Sequence, residues 1–407
     1  MAKVVVIGGG AAGMMAAITA SAENEVVLVE KNSKLGKKLF ITGKGRCNIT
    51  NSIDISEFFD NIPGNPYFLY SSLYSFTNVD LINFVENLGV KLKVERGGRV
   101  FPESDKSSDI INAFIREIEK RKIKVLLNSK VIKINRENNV IKNVVTSENK
   151  IIGGDFFILC TGGKSYPQTG STGDGYDFAK NLGHKIIEPK PSLVPIEVKE
   201  NWISELQGLS LKNVKLYIKK GKKVLYDNFG EMIFTHYGIS GPIVLSASRV
   251  VNYNKNLEAV IDLKPALNEK ELDSRIQRDF NKYINKDFKN SLDDLLPKKL
   301  IPIIIKLSNI EETKKVNLIT KEERKNLVHL INNLTLSIKG LRPIEEAIIT
   351  AGGIDTKEID PSTMQSKKIH NLYFCGEVID VDAYTGGFNL QIAMSTAHEA
   401  GKNVGAL

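Results

Sequence analysis

Gly8-Gly9-Gly10-Ala11-Ala12-Gly13 constrains this chain more than any other stretch, because of what flanks it. Lys3 to Ile7 is a short β-branched run of the kind that forms a buried strand. A small-residue helix is expected over 14–22, and Glu25-Val26-Val27-Leu28-Val29-Glu30 reads as a second strand ending in a carboxylate. The whole is one βαβ unit of about thirty residues around a G-x-G-x-x-G turn. Gly8 permits the tight turn, Gly10 lets the backbone approach a pyrophosphate, and Gly13 lets helix and strand pack closely. Ala11 and Ala12 carry the chain into the helix, whose unpaired N–H groups and dipole favour an anion. Glu30 is placed to accept hydrogen bonds from ribose hydroxyls, and its charge disfavours a 2′-phosphate. The unit therefore predicts dinucleotide binding, with NADP disfavoured as the resident cofactor.

The same run of 19 uncharged residues, Val4 to Ala22, ends on Ala20-Ser21-Ala22 and resembles a secretory signal. Its glycines would break a signal's apolar helix, and a strand follows directly. No other uncharged apolar run approaches the roughly 18 residues that a membrane-spanning helix needs. Only three cysteines occur, Cys47, Cys160 and Cys375, with no Cys-x-x-Cys or Cys/His pairing, so neither a disulfide framework nor a zinc site is indicated. A cytoplasmic protein with no membrane partner and no metal is expected.

The segment after Glu30 points to FAD rather than NAD. Gly36-Lys37-Lys38-Leu39-Phe40-Ile41-Thr42-Gly43-Lys44-Gly45-Arg46-Cys47-Asn48-Ile49-Thr50-Asn51 is rich in glycines, cations and amide or hydroxyl side chains. It reads as an ordered loop wrapping a polar ligand, where an NAD-only domain would proceed into another helix and strand. Far downstream, Asn371 to Glu377 is an apolar strand ending in Gly376-Glu377, followed by Tyr384-Thr385-Gly386-Gly387-Phe388-Asn389-Leu390-Gln391 and a helix over 392–400. In two-part FAD domains such a strand sets an acid against the ribitol, and the helix aims its positive end at the flavin. A dipole of this kind contributes roughly 0.3–2 kcal/mol per interaction. Asp155 to Cys160 is a third apolar strand, running into Thr161-Gly162-Gly163. Cys160 and Cys375 both fall in such strands and read as small core residues.

Taken together, the glycine turn, Thr42 to Asn51, Gly98-Arg99-Val100-Phe101-Pro102, Thr161 to Pro167, Phe234-Thr235-His236-Tyr237-Gly238-Ile239-Ser240-Gly241-Pro242 and Tyr384 to Asn389 resemble a bacterial FAD-binding oxidoreductase family. It is the aminoacetone oxidase-like family, or the NAD(P)/FAD-dependent oxidoreductases of the bile-acid-reductase type. The resemblance covers essentially the whole chain in order. It implies an α/β fold: a two-part, Rossmann-like FAD-binding domain of the glutathione-reductase kind, interrupted by an inserted β-barrel and a small helical subdomain. It leaves the substrate open. The FAD contacts expected on this reading are Gly8, Gly10, Ala11, Ala12, Gly13, Glu30, Lys31, Lys37, Thr42, Gly43, Arg46, Cys47, Asn48, Val131, Thr161, Gly162, Gly163, Gly376, Glu377, Gly386, Gly387, Asn389, Leu390 and Gln391.

The expected divisions are 1–190 and 346–407 for the FAD domain, 191–267 and 335–345 for the barrel, and 268–334 for the helical subdomain. Pro189 to Pro195 marks the exit from the first part, and Lys219-Lys220-Gly221-Lys222-Lys223 reads as a hairpin turn. Leu272, Ile276, Phe280 and Ile284 recur on one helical face, and Thr320-Lys321-Glu322-Glu323 has the form of a capping box.

Four residues are the candidates for chemistry. Arg46 can fork onto a substrate carboxylate, bind FAD phosphate or brace its loop. Cys47 is a redox thiol or lines the flavin pocket. His236 is an acid/base or a structural histidine. Tyr384, like Tyr166, contacts substrate or packs. The expected activity is hydride exchange between FAD and a small molecule, with NAD(P)H as a transient co-substrate or O₂ as the second redox partner. A flavin-dependent tRNA-modifying enzyme is the alternative. The formal charge of +9 and the run Lys212 to Lys223 raise nucleic acid as a partner, but that run lacks interleaved arginines, and residues 191–340, which carry +7, hold most of their cations as lysine. That distribution reads as the solvated surface of an insert and favours a small-molecule substrate over nucleic acid.

Overall fold

A computed structural model describes residues 1–405. The contacts divide the chain into two compact units, Met1–Ser192 with the chain from Ile344 onward, and Leu193–Pro343.

The first unit is built on a five-stranded parallel sheet in the order Leu372–Phe374, Phe156–Leu159, Lys3–Ile7, Glu25–Val29, Lys124–Leu126. Val6 lies beside Leu28 on one side and Ile158 on the other. The strands are apolar on both faces because both are buried, their residues sharing one core with the helices Ala11–Ala20 and Phe388–Asn403 and with Val131, Ile141, Val144 and Ile152. The first helix, Ala11–Ala20, begins three residues earlier than expected, since Gly10 itself caps it, and stops where the Ser21 hydroxyl donates to the Ile18 carbonyl. It packs on the closing helix, Phe388–Asn403, so closely that a Cβ on Gly401 would lie 2.8 Å from the Ala16 carbonyl oxygen. Small residues on both helices permit that approach. The closing helix also begins earlier than its apolar pattern, which puts Asn389, Leu390 and Gln391 in its first turn.

The expected loop from Gly36 to Asn51 is in large part a helix, Lys37–Gly45, seated by buried Leu39. It breaks at Thr42–Lys44, where Gly43 and Lys44 take positive φ, and the chain regains extended form at Thr50–Asn51. The polar composition that suggested a loop belongs to the exposed side of the helix and to its break. Val131 opens a three-stranded antiparallel layer, Val131–Glu137, Val140–Thr146 and Ile151–Gly153, which the sequence reading did not anticipate.

His184 is buried in this unit, its Nδ1 3.1 Å from Glu358 Oε2 and its Nε2 3.0 Å from Ser366 Oγ. The arrangement imitates a catalytic triad, but Ser366 is itself buried and its hydroxyl accepts from the Lys368 and Ile369 N–H groups, so it is a structural lock. Burial lowers the pKa of His184, and burial likewise lowers that of His398. A proton then binds the unfolded chain more readily than the folded one. Stability is fully present above the ordinary histidine pKa of about 6.5 and falls as the pH drops through and below it. The urea midpoint is therefore expected to be lower at pH 5.5 than at pH 7.5, and a His184→Gln change is expected to flatten that dependence.

The second unit is a closed barrel, Ile196–Val198, Gly238–Ser240, Lys223–Phe234, Ser210–Lys220, Glu258–Asp262 and Leu334–Leu341 in order, the last pairing with the first. The hairpin turn falls at Gly221-Lys222, as the lysine-flanked glycine predicts. Helices Glu269–Lys282, Ile301–Ser308 and Lys321–Asn332 share one apolar cluster with the barrel, Leu272, Ile276 and Ile331 belonging to the same core as Leu216 and Phe234. Ile284 lies outside that core because its helix ends at Lys282. The Thr320 capping box forms, with the hydroxyl accepting from Glu323 N–H and the carboxylate from Thr320 N–H.

Candidate functional site

The glycine turn sits where the opening strand meets the first helix. Gly8 has φ 106°, and a Cβ on Gly13 would lie 1.7 Å from the Gly8 carbonyl oxygen, so neither position tolerates a side chain. Gly10 differs. Its backbone is one that any residue adopts (φ −80°, ψ −166°), and a Cβ there would meet nothing within 4 Å. That open space lies over the N-terminus of the Ala11–Ala20 helix, where a pyrophosphate finds N–H donors and a favourable dipole.

Glu30 closes this end. One carboxylate oxygen accepts from Gly9 N–H at 2.6 Å, the other from the Asn32 backbone and side-chain amides at 2.7 and 2.6 Å. Lys37 Nζ donates to the Asn32 side-chain Oδ1 at 3.1 Å, and Lys31 donates to Thr172 and Asp174 at 2.5 and 2.7 Å. Lys31 and Lys37 therefore fasten the loops around Glu30. Asn32, which organises the cluster, carried no sequence signal.

The other end is assembled from three distant segments. Glu377 accepts from Lys38 Nζ at 2.6 Å, from Ser165 Oγ at 3.0 Å and from Thr350 N–H at 2.8 Å. Gly163 lies against the same group, where a Cβ would be 2.4 Å from Thr350 Oγ1 and 2.9 Å from Glu377 Oε1. Gly376 packs on Ala12, bringing the late strand to the glycine turn. At the closing helix, Gly387 takes φ 102° against the Thr50 carbonyl, and Asn51 donates to the Gly386 carbonyl at 3.0 Å. Asn389 bonds the backbone of Ala383 and Tyr384, while buried Gln391 holds Thr50, Phe76 and Ser395. These two side chains shape the turn.

The fit to a dinucleotide can be tested on the chain itself. Thr161 Oγ1 and Asn48 Oδ1 are buried with no hydrogen-bond partner among the described residues. Orphaned buried polar atoms are costly, and a bound polar ligand is the common way of satisfying them. Together with the open space at Gly10, they fit FAD. Val131 lies at the edge of the antiparallel layer, paired with Thr146.

Of the reactive candidates, Arg46 proves to be braced. Its guanidinium bonds Glu95 and Asp105 and lies 4.1 Å from the centre of the Phe101 ring, and these carboxylates, Glu95 foremost, hold its pKa above the ordinary value. The three charged side chains are 31, 29 and 44% exposed, so the network contributes modestly. Arg46→Ala is expected to lower stability slightly and leave flavin content unchanged, read by urea titration and by absorbance near the flavin band. Cys47 is fully buried at φ 60°, and burial pushes its thiol up to about 12, so it is a neutral thiol at physiological pH. Tyr384 is anchored through its N–H to the Asn61 carbonyl, and Tyr166 takes a left-handed conformation before Pro167–Thr169. His236 belongs to the barrel unit, in the turn between Phe234 and Gly238, with its ring edge-on to Tyr237. No group of His, Cys, Asp or Glu among the described residues has the arrangement of a metal site. No helix among them is long and apolar enough to cross a membrane.

A parallel sheet with its glycine turn, a late strand and a closing helix returning to that turn, and a barrel built from the intervening chain define a Rossmann-type FAD flavoenzyme of the oxidoreductase class. The chain belongs to the family described as HI0933-like protein Rossmann domain, which matches residues 2–403. It is 30% identical over 99% of its length to a 3-dehydro-bile acid delta(4,6)-reductase of Clostridium scindens, covering 98% of that protein. It is 34% identical over 97% of its length to a ribosomal RNA dihydrouridine synthase of Haemophilus influenzae, covering 96% of it. Among solved structures, the 3-ketosteroid-delta4-(5alpha)-dehydrogenase of Rhodococcus jostii shares the fold, with TM-score 0.52, 13% identity and coverage of 99% of this chain and 96% of that one.

Proposed function

We propose that this enzyme is an FAD-dependent reductase that saturates a carbon–carbon double bond conjugated to a carbonyl, with NAD(P)H as a transient hydride donor. The observation that carries the cofactor is the open cradle at Gly10 beside the unpartnered Thr161 hydroxyl. The reaction class rests on two full-length relatives whose names describe the same chemistry: a delta(4,6)-reductase and a dihydrouridine synthase each remove a conjugated double bond.

Bound FAD supplies the hydride acceptor and donor. The chain's own residues do the rest. The Ala11–Ala20 helix holds the pyrophosphate by its N-terminal N–H groups. Glu30 takes the adenosine ribose and Glu377, fixed by Lys38, Ser165 and Thr350, takes the ribitol side. The first turn of Phe388–Asn403 would offer positive potential to the negative charge of a reduced flavin. Tyr384, in the loop ahead of the closing helix of the same unit, is the proposed group for substrate contact. The chain has no second G-x-G-x-x-G set between strand and helix, so NAD(P)H docks without a site of its own. Anaerobic mixing tests this reading. NADH or NADPH should bleach the flavin, and an α,β-unsaturated ketone or a uridine-containing RNA should restore its colour. Bleaching reversed by air alone, with hydrogen peroxide formed, would indicate an oxidase.

A second reading, in which the substrate is a uridine in RNA, is supported by the barrel hairpin. Lys220, Lys222 and Lys223 are exposed around its tip, and the Tyr217 ring lies 5.0 Å from Lys215 Nζ and 5.4 Å from Lys219 Nζ. Phe229, on the same hairpin, is 50% exposed. Lysines interleaved with aromatic faces suit a phosphate backbone and its bases. Lys220→Glu with Lys222→Glu should weaken ribosomal RNA binding and flatten its salt dependence, with enone reduction unchanged. Equal RNA binding by variant and parent would remove this reading and leave the small-molecule substrate.

A further inference from the structure

Cys160 and Cys375 are 215 positions apart in the chain and adjacent in the fold. Each follows its strand, Phe156–Leu159 and Leu372–Phe374, and these neighbours run parallel with Leu159 beside Phe374. The next residue on each is the cysteine. Cys375 N–H donates to the Leu159 carbonyl, and the two sulfurs lie 3.0 Å apart. The pair is buried, Cys160 5% and Cys375 0% exposed. It lies directly beneath the glycine turn: a Cβ on Gly8 would fall 2.6 Å from the Cys160 carbonyl oxygen, and one on Gly13 would fall 3.5 Å from Cys160 Cβ.

We propose that Cys160 and Cys375 form an oxidisable dithiol, a modification site that takes hydrogen peroxide and closes to an intrachain disulfide under the dinucleotide cradle. The sulfurs need approach by only about 1 Å to reach the bonded distance of about 2.05 Å, and neighbouring parallel strands already hold the two residues side by side. One sulfur attacks a peroxide oxygen and becomes a sulfenic acid as the other oxygen leaves as water. The second sulfur then displaces the sulfenic hydroxyl, which leaves as a second water, and the S–S bond closes. The thiols lose two electrons and the peroxide gains them. Burial holds the Cys160 thiol protonated, with its pKa raised well above the ordinary value, so the reaction is slow in the closed fold and proceeds as the strand ends open. Peroxide is what a reduced flavin yields on meeting dioxygen, so the oxidant arises at the adjacent site on the FAD reading; the disulfide chemistry itself does not depend on that reading.

The full-length purified protein is exposed to added hydrogen peroxide, quenched, unfolded and alkylated, with its mass recorded. Before oxidation three thiols should be alkylated. Afterwards one should remain, Cys47, with the chain lighter by two hydrogens and not cross-linked to a second chain under non-reducing, denaturing conditions, and dithiothreitol should restore all three. In Cys375→Ser, peroxide should instead leave Cys160 as a sulfenic acid that dimedone traps. Three alkylatable thiols after oxidation of the parent, or a disulfide that includes Cys47 or joins two chains, would overturn the proposal. A purely packing role for the pair would leave the thiol count unmoved.

Discussion

A Gly10→Val variant is expected to fold normally and to purify without colour. The backbone at Gly10 lies in the extended region open to any L-residue, and the space ahead of its Cβ is empty of protein atoms. The valine Cβ therefore meets no clash. Its cost is that of a poorer helix N-cap, about 1 kcal/mol. What the side chain does fill is the space over the N–H groups of the Ala11–Ala20 helix, where the pyrophosphate is to lie. Thermal unfolding should move by a few degrees and flavin absorbance should vanish. Gly13→Ala makes the contrast, because its methyl would sit 1.7 Å from the Gly8 carbonyl oxygen and must push helix from strand. That variant should lose stability, by about 3 kcal/mol or more, along with the flavin. If Gly10→Val keeps its flavin at full occupancy, the pyrophosphate does not rest on this turn.

Glu377→Ala is expected to have the second large effect. Its carboxylate is the shared acceptor for an ammonium, a hydroxyl and a backbone N–H from three separate segments. Lys38 and Glu377 side chains are only 20 and 21% exposed, so truncation leaves a mostly buried ammonium without its counter-charge, holding only the Ser165 hydroxyl at 2.6 Å. Removing one partner of such a pair costs about 3 kcal/mol, much of it from the charge left behind. Glu377→Gln should lose less, since the amide oxygen still accepts from Thr350 N–H. Urea titration of the parent and both variants should give the order parent, Gln, Ala. Equal stability of Ala and parent would mean that Lys38 finds water or another acceptor at little cost.

Much of this was legible in the sequence, where the signal is local. The opening βαβ unit is set by spacing over thirty residues, and the Thr320 capping box by four. The barrel hairpin announces itself through Gly221 among lysines. What escaped the reading is made of contacts between distant positions. Nothing near Lys38 points to Glu377, 339 positions on, and nothing near Cys160 points to Cys375. Arg46 looked available to a ligand because its carboxylate partners, Glu95 and Asp105, come from a separate strand and turn. The helix Lys37–Gly45 was hidden by its polar face and by the break at Gly43. Gln391 was expected at the flavin from its place in the Thr385-Gly386-Gly387 turn region, yet one helical turn carries its side chain back to Thr50 and Phe76.

The most direct measurement is the flavin released when purified parent and Gly10→Val are denatured, identified by the rise in fluorescence when phosphodiesterase cleaves FAD. We expect about one FAD per chain from the parent and none from Gly10→Val, with both chains folded beforehand. FMN in place of FAD, or a colourless parent that takes up no FAD on reconstitution, would contradict a dinucleotide seated on the Gly8–Gly13 turn.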